Sequence, residues 1–436
     1  MIQELKNSNH IMYNKIVRFF LTFCFVLLGF CFKGNAQEGS MTVENSSVTI
    51  ATGTTEMRFS QETYFGPNAN WVIDGTLEIW SEKVWIAPTA KFSGTGRIVF
   101  YNPGDSPYYN NSTNGATHVD GNNSAFLDLI VEHANANRLI LEDLEDPGYG
   151  VDSPGGSESA QFNIGGSLDL AVDGAHVDLN GSNLGFGESA TIENASAKRM
   201  VITNNSAKAH VIKHFGNSGM FNFPVGIAAG DYTPARFDAV GKGKVYVSVE
   251  DYHVVPFSPT ERERGMDRIW NVFSPGGSVT GLLGLIHNAN TNGMDYQDSR
   301  AFIHQADQQR GWNKLESVRL GEGIHQTTQD IQLVSLGSDY DAYFTKLGHR
   351  TLFIPNVITP GNPDGVNDKF EIVGIEAFSR VSITIINRWG NEVYSNDNYR
   401  NEWDATGLNA GVYYYILNTY EGASTEQYKG YITVIK

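Results

Sequence analysis

Between residues 42 and 203 the chain repeats a short pattern of apolar and polar positions. Each unit has an apolar pair, a glycine turn and a second run in which apolar and polar residues alternate. Side chains alternate across a strand, so each unit offers one apolar face. Stacking the units would bury these faces, which favours a β-solenoid, with a β-sandwich as the alternative. The clearest units are 71–80, 92–100, 162–170 and 177–186.

The glycines that we predict to form the turns of these units are Gly75, Gly96, Gly166 and Gly181. Two stretches interrupt the pattern: residues 101–125, and the Gly/Pro/Ser-rich segment 146–159, both of them loops by composition. Long loops on a regular scaffold often carry functional residues, but surface insertions without a function would have the same composition.

From about residue 210 to residue 347 the repeat weakens, and turn signals separate strand candidates at 244–249, 267–273 and 281–286. This spacing is typical of one antiparallel β-sandwich. Segments 221–226, 232–235 and 268–270 together resemble a module of large secreted Bacteroidetes proteins that has no assigned chemistry.

The first 36 residues predict a cleaved signal peptide. Lys15 and Arg18 precede an apolar run at 19–32, and Ala36 ends a Gly-Asn-Ala site before Gln37. A membrane anchor is the alternative, but the run is shorter than the about 20 residues that span a bilayer. We expect no transmembrane segment in the mature chain.

Composition excludes several classes of protein. The net charge of −17 argues against nucleic-acid binding, which needs clustered Lys and Arg. The chain has only two cysteines, Cys24 and Cys31, and both lie in the predicted signal peptide. A disulfide scaffold or a cysteine-based zinc site is therefore excluded.

Five segments near the C-terminus form an ordered set of motifs. They are 353–360 (FIPNVITP), 364–370 (DGVNDKF), 385–394 (IINRWGNEVY), 403–415 (WDATGLNAGVYYY) and 428–436 (YKGYITVIK). In this order they resemble the gliding-motility-associated C-terminal domain of Bacteroidetes, the type B sorting domain of the type IX secretion system. The positions that carry the resemblance are Pro355, Asn356, Asp364, Gly365, Asn367, Asp368, Asn387, Arg388, Trp389, Gly390, Trp403, Asp404, Gly411, Tyr413, Lys429 and Gly430.

The resemblance implies an Ig-like β-sandwich that the outer-membrane secretion machinery recognises. It also implies export in two steps, which agrees with the signal peptide. The sequence departs from the family at Gly361-Asn362-Pro363, where three residues stand before Asp-Gly and the family usually has two. From the residues themselves, we expect Trp389 and Trp403 to be core aromatics.

Asp364, Asn367 and Asp368 place oxygen ligands on one tight turn, as Ca²⁺ would require. A full EF-hand loop needs further carboxylates, and an Asx-rich turn held by its own hydrogen bonds explains the same residues. Both interpretations stay open, and no other cofactor is expected.

No catalytic set stands out in the sequence. His210 and His214 are spaced by four, but no metalloprotease glutamate accompanies them, so solvent-facing strand histidines are the simpler interpretation. Glu142, Asp143, Glu145 and Asp146 form an acidic run that is more typical of a solvated loop than of a glycosidase pair.

The sequence thus predicts an all-β protein in four parts. These are a signal peptide (1–36), a β-solenoid-like domain (37–205), a β-sandwich (206–347) and a C-terminal sorting domain (348–436). We expect a non-enzymatic secreted or cell-surface protein with an adhesive or structural role. Its expected partners are the type IX machinery and surface glycans or other surface proteins. The alternative is a carbohydrate-active enzyme or a glycan-binding protein on a β-helix scaffold.

Overall fold

The computed structural model describes residues 40–436 except 107–113, 152–158, 253–263, 278, 309–310, 349–351, 363 and 422–423. The predicted signal peptide lies outside the described residues. Regular structure in the described part is almost all strand, so the all-β prediction is confirmed. The helical turns there are short 3₁₀ segments at Pro103–Asp105, Ala289–Thr291, Asp298–Arg300, Tyr340–Ala342 and Ile375–Ala377.

The first half of the described chain forms twenty short strands. They are β1 (Met41–Glu44), β2 (Ser47–Ile50), β3 (Thr55–Arg58), β4 (Glu62–Phe65), β5 (Asn70–Ile73), β6 (Thr76–Ile79), β7 (Lys83–Ile86), β8 (Lys91–Tyr101), β9 (Thr117–Asp120), β10 (Asp128–Ala134), β11 (Leu139–Leu141), β12 (Phe162–Ile164), β13 (Ser167–Leu170), β14 (Val177–Asp178), β15 (Leu184–Phe186), β16 (Thr191–Glu193), β17 (Val201–Ile202), β18 (Val211–Phe215), β19 (Gly219–Phe223) and β20 (Val225–Gly226).

Fifteen further strands follow. They are β21 (Ala235–Val240), β22 (Gly243–Glu250), β23 (Ile269–Phe273), β24 (Thr280–Ile286), β25 (Ala301–Ala306), β26 (Trp312–Lys314), β27 (Ser317–Gly321), β28 (Ile324–Thr327), β29 (Ile331–Gln332), β30 (Tyr343–Gly348), β31 (Val357–Ile358), β32 (Arg380–Ile386), β33 (Glu392–Asn396), β34 (Gly411–Glu421) and β35 (Ser424–Val434).

Strands β1 to β18 wind into a stack of coils whose successive turns pair in parallel. One sheet has the order β1-β4-β7-β9-β11-β14-β17-β20, and a second has β16-β13-β10-β8-β5-β2, with β6 also paired to β8 and β3 paired to β6. The ion pair between Lys83 and Glu62 joins equivalent positions 21 residues apart, at 3.0 Å. The prediction of solenoid-like repeats is therefore confirmed.

Close stacking of the coils explains most of the predicted turn glycines. A Cβ atom on Gly96 would lie 2.0 Å from the Gly75 carbonyl oxygen, and one on Gly75 would lie 2.3 Å from the Thr54 oxygen. Gly166 meets the Leu129 oxygen in the same way, at 2.1 Å. At these positions any side chain would push one coil away from the next.

Inward-facing side chains of the coils form one core with the sandwich that follows. Trp71 and Trp85 are fully buried at its start, and Phe344 is fully buried at its far end. A third sheet, β12-β15-β18-β22-β23-β30-β25-β26, passes from parallel pairing to antiparallel pairing at β22. Parallel pairing also continues to β20, past the predicted border at 205, and that border stays a prediction.

The middle part packs this third sheet against a fourth one. The fourth sheet has the antiparallel order β19-β21-β24-β28-β27, with β29 beside β24. Buried side chains of both sheets, such as Phe237 and Trp270, join the core of the solenoid.

The C-terminal part is built on a fifth sheet with the order β31-β35-β34-β32-β33. Its inner face packs against extended chain from the segments around Phe370 and Tyr399, which makes a separate core. This is a β-sandwich region, whereas its Ig-like topology stays a prediction. Lys314 of β26 forms an ion pair with Glu426 of β35 at 3.0 Å, so the middle part contacts this region.

Candidate functional site

The first C-terminal motif is tied to the last by strand pairing. Asn356 accepts a hydrogen bond from the Thr433 amide at 2.8 Å through its backbone oxygen. The next residues form β31, which pairs in parallel with the end of β35. The first and the last of the C-terminal motifs therefore meet in one sheet.

The Asn387–Gly390 motif forms the turn between β32 and β33. The Asn387 side-chain oxygen accepts hydrogen bonds from the amides of Trp389 and Asn391, each at 3.0 Å. Gly390 has a φ of +84°, which glycine adopts without strain. The sequence thus encodes a rigid turn that holds two large side chains at its tip.

Those two side chains lie in solvent. Trp389 is 74% exposed, and the Arg388 guanidinium lies 4.7 Å from the centre of its ring. The expectation that Trp389 is a core aromatic was wrong, because the turn points it away from the sheet. Trp403 is 5% exposed and lies in the core as expected.

A shallow cavity of about 230 Å³ opens beside the tip. Its walls are the turn itself and the start of β34, where the Tyr413 hydroxyl donates to the Asn409 backbone oxygen at 2.9 Å. Gly411 opens β34 with a φ of +152°. The motif residues of two distant segments thus form one surface.

The buried motif residues stabilise this surface from below. The Phe370 amide donates to the Trp403 backbone oxygen at 2.8 Å, and the Tyr399 hydroxyl donates to the Phe370 oxygen at 2.5 Å. Burial raises the pKa of the Tyr399 hydroxyl, so it stays a neutral donor. Hydrogen bonds from the Thr406 hydroxyl and from the Thr406 amide, the latter at 2.9 Å, lower the pKa of the Asp404 carboxyl.

Lys429 and Gly430 lie side by side in β35, opposite Ile416 and Tyr415. A Cβ atom on Gly430 would lie 2.5 Å from the Tyr415 hydroxyl oxygen. The Tyr415 ring therefore covers Gly430, and this cross-strand contact explains why the second residue of the Lys-Gly motif is a glycine.

The Asp364 loop has the geometry of an Asx turn. The Asp364 carboxylate accepts from the Val366 amide at 2.9 Å, and the Asp368 carboxylate accepts from the Gly365 amide at 2.9 Å. Asn367 adopts a left-handed φ of +56°. The described residues contain no group of three His, Cys, Asp or Glu side chains that could hold a metal ion. The Ca²⁺ site stays a prediction.

Of the two histidines of the His-x-x-x-His pattern, His210 is not solvent-facing, contrary to our expectation, and His214 is half-buried. His210 is buried just before β18, and its Nε2 donates to the Asn271 side-chain oxygen at 3.0 Å. His214 lies edge-on to the Phe126 ring. Burial lowers the pKa of each imidazole to about 4.

Two side chains of the acidic run after β11 interact with neighbouring residues. Glu142 contacts the His118 ring, and the Asp146 carboxylate accepts from the amides of Tyr149 and Val151 at 2.8 and 2.7 Å. Asp143 and Glu145 are exposed. This arrangement fits the solvated loop that the sequence predicted.

One buried polar cluster gave no signal in the sequence. Lys346 is fully buried in β30 and donates to the Gly323 oxygen at 2.8 Å, and it also contacts the His287 ring. Burial lowers the pKa of the Lys346 ammonium. Its hydrogen bonds join β30 to the facing sheet, so the cluster is a structural cross-link.

The comparisons agree with the motifs. Residues 352–434 match the CHU_C type IX secretion signal domain. The resemblance to a sorting domain is therefore confirmed for this part of the chain. No curated protein and no solved structure matches the chain. Among the described residues, no helix is long and apolar enough to cross a membrane.

Proposed function

We propose that this chain is cargo of the type IX secretion system, with residues 352–434 as its export signal. The observation that carries the proposal is the family match over those residues. The solenoid and sandwich before them are then the exported body, which acts outside the cell or on its surface.

The geometry of the matched region supports this role. A rigid turn presents Arg388 and Trp389 to solvent. An exposed tryptophan beside a shallow cavity is the kind of anchor that protein interfaces use. We infer that this tip is part of the surface that the secretion machinery contacts.

For the body we propose a structural or adhesive role without catalysis. Its coils and sandwich share one core, which makes a stiff unit with long lateral faces. Stacked repeats of this kind commonly provide extended binding surfaces. Of the acidic run that could have supplied a catalytic pair, Glu142 contacts His118, and Asp146 accepts hydrogen bonds from its own loop.

Two strains test the export proposal. The full chain is expressed in a host with intact type IX machinery and in the same host without its outer-membrane component. We expect the protein outside the first strain and in the periplasm of the second. Equal amounts outside both strains would contradict the proposal.

A second experiment tests the role of the body. The exported protein is incubated with neutral and acidic polysaccharides, and new reducing ends and bound polysaccharide are both measured. Binding without cleavage supports an adhesive role, and neither binding nor cleavage supports a structural one. Cleavage of any substrate would show the body to be an enzyme.

A further inference from the structure

Near the C-terminal end of the stack, two neighbouring coils separate from each other on one face. Along the chain β16 lies between β15 and β17, and β19 lies between β18 and β20 one coil later. Strand β15 pairs with β18, and β17 pairs with β20, both in parallel. Among the described strands, however, β16 pairs with β13 alone and β19 with β21 alone. The two coils are therefore hydrogen-bonded to each other through β15–β18 and through β17–β20. Their remaining strands, β16 and β19, are not paired with each other.

A groove of about 560 Å³ lies between the separated strands. This volume is within the range of ligand-binding pockets, roughly 300–1,000 Å³. All three residues of β16 line one side, and Gly219–Asn222 of β19 line the other. The groove is thus bordered by the free edges of two different sheets.

The backbone of β16 directs hydrogen-bonding groups into this groove. The Thr191 amide donates to the Gly166 oxygen, on the side of β13. In a parallel pair, alternate residues direct their amide and carbonyl groups to opposite neighbours. The amide and carbonyl of Ile192 therefore point away from β13, toward β19. An unpaired edge of this kind is a template for another strand.

Lys213 fixes the floor of the groove. Its ammonium donates to the backbone oxygens of Gly187, Glu188 and Ala190 at 2.6, 3.0 and 2.7 Å. The same ammonium lies 5.1 Å from the centre of the Phe221 ring in β19. One side chain thus holds both borders in place, so the groove is formed before any partner binds.

The charge at the rim is acidic. Glu188 and Glu193 are exposed on the groove, whereas the Lys213 ammonium is engaged by three carbonyl groups. The rings of Phe215 and Phe221 are 6% and 5% exposed. They offer no face on which a sugar could stack, and the net charge of −17 disfavours a second copy of this chain. A basic extended peptide fits these features.

We propose that the groove binds an extended segment of another protein, with at least one Lys or Arg side chain, as a strand parallel to β16. Main-chain hydrogen bonds to Ile192 supply affinity, and the two glutamates select for basic residues. The exposed side chain of Met220 at the rim covers an apolar residue of the segment. This inference goes beyond the export proposal and does not depend on it.

The test uses the purified chain 37–436 and two labelled peptides. One peptide has the sequence Lys-Val-Thr-Val-Thr-Val-Lys, and the other has glutamate in place of both lysines. Fluorescence anisotropy measures binding of each. We expect the basic peptide to bind at least ten times more tightly than the acidic one.

Three variants locate the site. Ile192→Pro removes the amide that faces the groove and should weaken binding at least tenfold. Glu193→Lys should weaken the basic peptide and strengthen the acidic one by several-fold each. Glu322→Lys makes the same charge change in an exposed turn between β27 and β28 and should leave both affinities unchanged. Circular dichroism and the thermal midpoint verify that each variant is folded.

Glu193→Lys keeps the test decisive if Ile192→Pro does not fold. The proposal is overturned if neither peptide binds at millimolar concentration. It is also overturned if Glu193→Lys and Glu322→Lys weaken the basic peptide equally, because binding would then reflect general charge. Self-association that Glu193→Lys abolishes would identify a second copy as the occupant and would equally overturn it.

Discussion

Single residues of the solenoid are constrained by the coil before them rather than by their own turn. Gly96 shows this most directly, because its own backbone conformation is ordinary but a Cβ atom would collide with the Gly75 oxygen at 2.0 Å. Sequence patterning predicted Gly75 and Gly96 to be turn residues, but only Gly75 lies in a turn, and Gly96 lies inside β8. The pattern could not show why Gly96 is a glycine, since the contact joins residues 21 positions apart.

Gly96→Ala should therefore destabilise the protein. Overpacking a close contact costs about 1–3 kcal/mol, and here the opposing atom belongs to the backbone and cannot turn aside. Gly115→Ala is the matched control, because a Cβ there meets nothing within 4 Å. Denaturant unfolding of both variants measures the effect. Equal stability of the two would contradict the stacking argument.

Buried histidines make the stability of the fold depend on pH. Burial lowers the pKa of His133 and His210 from 6.5 to about 4. Between these values the unfolded chain binds a proton that the folded chain does not, so stability is lost as the pH falls from about 6.5 to 4. Burial raises the pKa of the Asp120 carboxyl to about 7, which acts in the opposite direction.

His210→Gln isolates one of these contributions. At pH 5 the histidine should cost about 2 kcal/mol of folding free energy relative to pH 7. The difference in unfolding free energy between pH 7 and pH 5 should therefore shrink by about that amount in the variant. An unchanged difference would show that His210 does not titrate as a buried group.

At the scale of elements, the alternation of apolar and polar residues predicted the coils well. The coils also carry a feature outside the core, a stack of Phe59, Trp80 and Tyr101 with ring centres 5.9 and 4.3 Å apart. Local patterning could not predict where β19 leaves its coil, because that depends on pairing with β21. The order of the C-terminal motifs identified the sorting region, but the exposure of Trp389 depends on how its turn meets the sheet.

Trp389, in the turn between β32 and β33, and Trp403, in the segment between β33 and β34, form a matched pair for substitution. Trp403→Ala should lower the free energy of unfolding by about 3–5 kcal/mol, since it leaves a cavity in the C-terminal core. Trp389→Ala should change it by less than about 0.5 kcal/mol, because the side chain is 74% exposed. Export of the Trp389→Ala protein should nevertheless fall, as measured by immunoblot of the medium and the periplasm. Normal export of this variant would place the recognised surface elsewhere.

At the scale of the whole molecule, the two largest cores of the described residues correspond to the two roles that we propose, and a third, smaller cluster around Trp312 lies in the middle part. One core runs from the first coils through the sandwich, and the other belongs to the C-terminal region. The Lys314–Glu426 ion pair is a contact between them. This organisation lets the same export signal serve a body whose surface has a different task. The sequence could predict the division from the motifs, but not the shared core of solenoid and sandwich, which is made by long-range pairing.

The most direct test of this account is the location of a chain truncated after residue 351. The truncated and full-length chains are expressed in a host with intact type IX machinery, and each is quantified in the periplasm and outside the cell. A full-length Gly115→Ala chain is the control for expression and fractionation of a variant chain. We predict that the truncated chain accumulates, folded, in the periplasm while both full-length chains leave the cell. Equal export of the truncated chain would contradict the assignment of residues 352–434 as the export signal.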